Sequence, residues 1–289
     1  MVSGVEMIAA YLSLAKPRIL MLVGVTALAS AIVAAKGDVR LSTSALLVLA
    51  GGLASAGASF LNNYFDRDID AVMPRTQNRP LPEGKVSPGR VLLVGLVLIA
   101  VSFPVALRIN FLTALFVLTG ALVYVALYTL WLKRRTSLNI VFGGLSGSCA
   151  ALAGWFAATN ELSFTPVMIA LLLFLWTPSH FWSFALVHHE SYRTASIPML
   201  PVLTGAKKTS LFILLSTVLL VLASFLLYSI GSFHQVYLIG SVLLGALFLG
   251  SSVRLWMQPT EERAWTNFKF SGVYLFGLLV VMALDILVQ

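Results

Sequence analysis

Acidic side chains are the scarcest chemistry in this chain: 289 residues carry eleven Asp and Glu against nineteen Lys and Arg. Charged residues of either sign amount to 10%, where a soluble domain carries about 25%. That poverty excludes an ordinary soluble domain. Cysteine is present once, as Cys149 in an apolar, glycine-rich stretch, which excludes an internal disulfide and a Cys-based zinc site. No cleavable leader is expected. Lys16 and Arg18 precede an apolar run without a cleavage site, and the start is not the Arg- and Ser-rich, acid-free leader of mitochondrial import. The first apolar segment is therefore expected to stay in the mature protein. A net charge of +8 does not point to nucleic acid, because the basic residues lie in short stretches between apolar runs.

What fills the chain instead is apolar: 59% hydrophobic residues and a mean hydropathy of +0.94. A bilayer-crossing helix needs about 20 such residues. Nine segments qualify, at 18–36, 41–63, 89–107, 111–132, 138–159, 164–187, 209–230, 235–257 and 267–288. The fold class is all-α, a polytopic membrane protein, and no linker divides residues 1–289 into more than one domain. Nine spans put Lys36, Arg40 and Arg108 on one side and the other sixteen of the nineteen Lys and Arg on the opposite side. Basic residues concentrate in cytoplasmic loops, so the N-terminus is expected in the cytoplasm and Gln289 outside. The expected location is the plasma membrane of a prokaryote. The two longest loops, 64–88 and 188–208, fall on the basic side. Each follows an apolar helix pair, a rough internal repeat.

Three of the rare carboxylates crowd into five residues, Asp66 to Asp70. Asn62, Asp66 and Asp70 are spaced by four. On a helix they form one stripe, about 6 Å between successive members. Carboxylates so close repel unless a cation lies between them, and oxygen-only ligands suit Mg²⁺, which commonly holds substrate phosphates. Arg75 and Arg79 follow directly, and guanidinium forks match phosphate oxygens. Lys133, Arg134 and Arg135, just after Tyr128, could complete a phosphate pocket from the same side. Asn139 then opens a small-residue helix, Gly143 to Ser148, suited to close packing. In the sixth span, Trp176 to Trp182 encloses His180, a rare buried membrane histidine and so a functional candidate. His188 and His189 make a poor chelating pair, since adjacent residues face different ways.

Asn62-x3-Asp66-x3-Asp70 with Arg75-Thr76 and Arg79-Pro80-Leu81 resembles the signature of the UbiA-type intramembrane prenyltransferases. Lys16-Pro17-Arg18, Trp176 to Trp182 and Ile197-Pro198-Met199-Leu200-Pro201-Val202 resemble their heme branch, the protoheme IX farnesyltransferases. The resemblance runs from Lys16 to the last helix. It implies a nine-helix barrel and two divalent-metal clusters that grip an isoprenoid diphosphate, with Asn62, Asp66 and Asp70 as the first and Glu190 in the second. The heme branch reads acid-acid-Tyr there, and this chain has Glu190-Ser191-Tyr192. Catalytic roles are expected for Asn62, Asp66, Asp70, Lys133 and Glu190. Substrate contacts are expected from Arg75, Arg79, Tyr128, Arg134, Asn139, His180, Tyr192 and Arg193. The implied reaction transfers a farnesyl group from farnesyl diphosphate to the vinyl group of heme B, with Mg²⁺ as cofactor and His180 as iron ligand or porphyrin clamp. Membrane lipids are implied surroundings, and a heme A synthase or terminal oxidase assembly is an implied partner. Two alternatives stay open on sequence: a UbiA-type enzyme acting on a quinone precursor or other lipid acceptor, and a transporter. Against the transporter, the charges gather at one face and no broken-helix pair marks the midplane.

Overall fold

A computed structural model describes residues 4–230 and 233–289. Among these residues nine helices are long and apolar enough to cross a membrane: Pro17–Ala34, Leu41–Phe65, Pro88–Leu107, Phe111–Leu132, Asn139–Ala158, Phe164–Val187, Leu200–Ser229, Gln235–Met257 and Glu261–Leu287. Each span packs on the next, and the ninth returns to the first, so the helices close into a barrel. The first span also crosses the fifth, and the sixth crosses the ninth. Gly154 makes the first crossing possible: a Cβ there would meet the Ala27 carbonyl oxygen at 2.0 Å.

The boundaries differ from the hydropathy reading in ways that have local causes. The seventh span begins at Leu200 rather than near 209, with Pro201 in its first turn, and kinks at Gly205 (φ 77°). The loop expected over 188–208 is shorter as a result. The ninth span begins at Glu261, capped by the Thr260 side chain. A further apolar helix, Gly4–Ala15, precedes the first span. The chain then turns through Lys16 in the left-handed conformation (φ 55°, ψ 66°), and Pro17 opens the next helix.

Buried polar side chains tie the second half together. Ser179, Ser183, Thr217, Ser252 and Asn267 form a hydrogen-bonded chain across the sixth, seventh, eighth and ninth spans. Such contacts join helices where lipid gives no hydrophobic drive for association. At the far end, buried Asp285 accepts the backbone N–H groups of His234 and Tyr237, which closes the start of the eighth span.

Candidate active site

The second span ends at Phe65, and a short helix, Arg67–Val72, follows at once. Asp66 is the hinge between them (φ −92°, ψ 4°). The spacing survives the hinge: Asp66 N–H donates to Asn62 O, and Asp70 N–H donates to Asp66 O. Asn62, Asp66 and Asp70 are all buried. The short helix stops before Pro74, which cannot continue its hydrogen bonds. The turns that follow return Arg79 to Asp70, Nη1 to Oδ2 at 2.7 Å.

The fourth span supplies the opposing wall. Its second half, Val123–Leu132, is π-helical, a rare geometry frequently found at functional sites. With hydrogen bonds five residues apart, Tyr124, Tyr128, Thr129 and Lys133 can share a face that an α-helix would spread around its circumference. Tyr124 and Tyr128 stack at 5.7 Å. Thr129 Oγ1 accepts from Asn62 Nδ2 at 3.1 Å. Lys133 Nζ donates to Asp66 Oδ2, the oxygen that also accepts Asn62 Nδ2 at 2.7 Å.

A cation that sequence reasoning placed only in a motif completes this cluster. Lys16 Nζ donates to Asn62 Oδ1 at 2.6 Å and to Tyr124 Oη at 3.2 Å. Burial, with repulsion from Arg79 and Lys133, pushes its ammonium down to about 7. The only signal in the sequence was a lysine directly ahead of the first span, where basic residues ordinarily mark topology.

The remaining predicted residues divide. Asn139 is buried and braces the loop, with Nδ2 donating to Thr136 O at 2.6 Å. Tyr192 is buried beside Arg75 and Lys133, and burial pushes its phenol up. Arg75 lies over the Phe184 ring at 5.2 Å. Arg134 holds exposed Asp68 through two 2.7 Å bonds at the rim of the cluster. Glu190 and Arg193 face solvent and pair with each other at 2.6 Å. The sixth helix does not run on from His180 to Glu190. It ends at Val187, and His188 (φ −110°, ψ 24°) separates it from the short helix His189–Thr194.

The oxygens of Asn62, Asp66 and Asp70 fit a divalent ion. They are hard donors on successive helical turns, and Asp66 Oδ1 is buried without a hydrogen-bond partner. The surroundings of Glu190 do not assemble a second such set. Its carboxylate is exposed and tied to Arg193, and among the described residues no three His, Cys, Asp or Glu side chains are placed to hold a metal ion together.

His180 lies in a separate, aromatic compartment. Its ring stacks on Trp176 at 4.2 Å and packs, tilted by 30°, against Phe268 at 4.3 Å. Phe268 continues to Trp265 at 5.2 Å and to Phe184 at 5.2 Å. Phe184, under Arg75, is where this aromatic wall meets the charged cluster.

A closed helical barrel with buried carboxylates and cations at one end suits a membrane-embedded enzyme. The chain belongs to the UbiA prenyltransferase family, matched over residues 23–277. It is an integral membrane protein. It is 42% identical over 278 residues to the protoheme IX farnesyltransferase of Symbiobacterium thermophilum, covering 96% of this chain and 93% of the relative. Protoheme IX farnesyltransferase 1 of Cenarchaeum symbiosum is 42% identical over 280 residues, covering 95% and 94%. Protoheme IX farnesyltransferase of Synechocystis is 41% identical over 278 residues, covering 95% and 88%. In fold, the chain is similar to a digeranylgeranylglyceryl phosphate synthase, with a TM-score of 0.82 and 21% identity over 98% of this chain and all of that one. It is also similar to a UbiA homolog from Archaeoglobus fulgidus bound to DMAPP and Mg²⁺, with a TM-score of 0.72 and 15% identity over 94% and 98%.

Lys16→Met should lower kcat/KM for the prenyl diphosphate by about 10²-fold, the scale of losing one donor to developing charge, while the protein stays folded. Lys85→Met, in the same loop system but exposed and paired with Glu83, should leave it unchanged. Steady-state kinetics on both variants checks this.

Proposed function

We propose that this prenyltransferase transfers a farnesyl group from farnesyl diphosphate to a vinyl group of heme B, giving heme O and diphosphate. The observation that carries the heme assignment is His180, held between Trp176 and Phe268 with Nδ1 2.6 Å from Ser271 Oγ. Imidazole is a ready iron ligand, and the flanking rings suit a flat porphyrin. A quinone precursor needs neither. The protoheme IX farnesyltransferase relatives favour the same acceptor.

Asn62, Asp66 and Asp70 would hold Mg²⁺. A bound divalent ion supplies positive charge to the diphosphate as it departs. Lys133, Arg79 and Lys16, already gathered on those side chains, stand where negative charge grows on the leaving group. Arg75, at the junction of the two compartments, extends that field. The allylic C–O bond breaks with its electron pair on the diphosphate oxygen. The vinyl group then forms the new C–C bond, and water captures the resulting cation and loses a proton. Tyr124, Tyr128 and Tyr192 form the wall that keeps bulk water from the allylic cation. Glu190 and Arg193 act at the exposed rim, where their ion pair braces the short helix His189–Thr194. Heme B, farnesyl diphosphate and membrane lipids are the partners of this reading. Delivery of heme O to a heme A synthase or terminal oxidase assembly belongs to the same proposal.

Membranes of cells expressing the chain should yield a farnesylated, hydroxylated heme on extraction and mass spectrometry. Asp66→Asn and Asp70→Asn should each cut its formation by at least about 10²-fold. A prenylated quinone precursor with unaltered heme would instead support the alternative acceptor.

The charged end should face the cytoplasm, with Gln289 outside. Ion pairs and ring contacts bring the loops after the second, fourth and sixth spans to one end, and sixteen of the nineteen Lys and Arg sort to that side. In a Cys149→Ala background, single cysteines at exposed positions of residues 64–88 and 188–199 should label only from the cytoplasm. Labelling of the two loops from opposite sides would refute the arrangement.

A further inference from the structure

Ser271 has no part in the reaction described so far, yet it is the hub of the aromatic compartment. It lies on the ninth span and is fully buried. Its carbonyl accepts Trp176 Nε1 at 2.7 Å. Its hydroxyl donates to Phe268 O at 2.6 Å, and the same Oγ lies 2.6 Å from His180 Nδ1. One serine thus touches the imidazole, holds the Trp176 ring through its carbonyl and bonds the Phe268 backbone.

A hydroxyl carries a single proton. Used on Phe268 O, that proton leaves Ser271 Oγ to meet Nδ1 as an acceptor, the arrangement in which Nδ1 bears the hydrogen. In a neutral imidazole the lone pair then belongs to Nε2, which has no hydrogen-bond partner among the described residues. Trp176 and Phe268 fix the plane of the ring, and Ser271 fixes which way it is turned within that plane. Residues that hydrogen-bond the far nitrogen of an iron- or zinc-bound histidine set both its tautomer and its orientation.

We propose that Ser271 is a positioning residue for the acceptor. It holds His180 as the Nδ1–H tautomer and presents Nε2 as a ligand for the iron of the heme substrate. This rests on the heme reading above. The Trp176 contact uses the Ser271 backbone, so Ser271→Ala removes the His180 partner and spares the link to Trp176.

The test compares wild type, Ser271→Ala, Ser271→Thr and His180→Ala as full-length purified protein, by Soret titration with ferric heme beside binding of a farnesyl diphosphate analogue. Ser271→Ala should weaken heme binding about 10-fold, the lower end of what such supporting contacts carry, and should change the imidazole-bound spectrum. Ser271→Thr, which keeps the hydroxyl, should restore both. Analogue binding should be unchanged throughout. If Ser271→Ala matches wild type while His180→Ala loses the imidazole spectrum, the role of Ser271 is overturned and the heme reading stands. If His180→Ala itself leaves the spectrum unchanged, the heme reading fails and Ser271 with it. Should Ser271→Ala not fold, the iron–imidazole stretch of the ferrous wild-type complex decides. A frequency typical of a hydrogen-bonded imidazole supports the proposal, and that of a free imidazole overturns it.

Discussion

Two buried carboxylates set the terms for this protein. Asp66 and Asp70 lie at the end of an apolar span, where an uncompensated charge is costly. Each has recruited a cation from elsewhere in the chain: Lys133 from the fourth span and Arg79 from the returning loop. Lys16, at the entrance of the first span, reaches the same cluster through Asn62. Three stretches distant in sequence, around Lys16, Asn62 to Arg79 and Lys133, therefore converge on the buried acids. Removing either partner of such a pair leaves the other buried and unpaired, which is far worse than never having had the pair. The same arrangement that makes the acids tolerable concentrates positive charge where a diphosphate must sit.

The second constraint is separation. The charged cluster and the aromatic compartment meet where Arg75 lies over Phe184. Prenyl transfer needs the leaving group in a strongly ionic setting and the acceptor in an apolar one that holds little water. Here the two settings belong to different packing units. The short helix after the second span, the returning loop and the π-helical fourth span build one. The sixth and ninth spans, through Trp176, His180, Phe268 and Ser271, build the other.

Much of this was legible in the sequence, because membrane depth makes hydropathy and charge unusually informative. The nine spans and the Asn62, Asp66, Asp70 stripe needed only periodicity and the rarity of acid. Arg79 stood out by its nearness to the stripe and His180 as a histidine inside a span, whereas Lys133 read as one of a basic cluster at a helix end. Other features were not legible. Lys16 looks like any topogenic lysine until the left-handed turn ahead of Pro17 aims it inward. The π-helix leaves no hydropathy trace, since Val123 to Leu132 reads as apolar in either register. Glu190 matched a motif position, but the break at His188 turns it to solvent beside Arg193. Ser271 and Asn267 carried a faint signal, two polar residues four apart in an apolar helix, which marks a buried face without saying what it meets.

If the two compartments form one site, both substrates must be able to occupy it at once. The direct measurement is a heme Soret titration of the wild-type protein already saturated with a non-reactive farnesyl diphosphate analogue and Mg²⁺. Simultaneous occupancy predicts the same imidazole-bound spectrum and one heme per chain, with affinity equal to or better than in the analogue-free protein. Mutual displacement, with heme binding falling as the analogue is added, would contradict it.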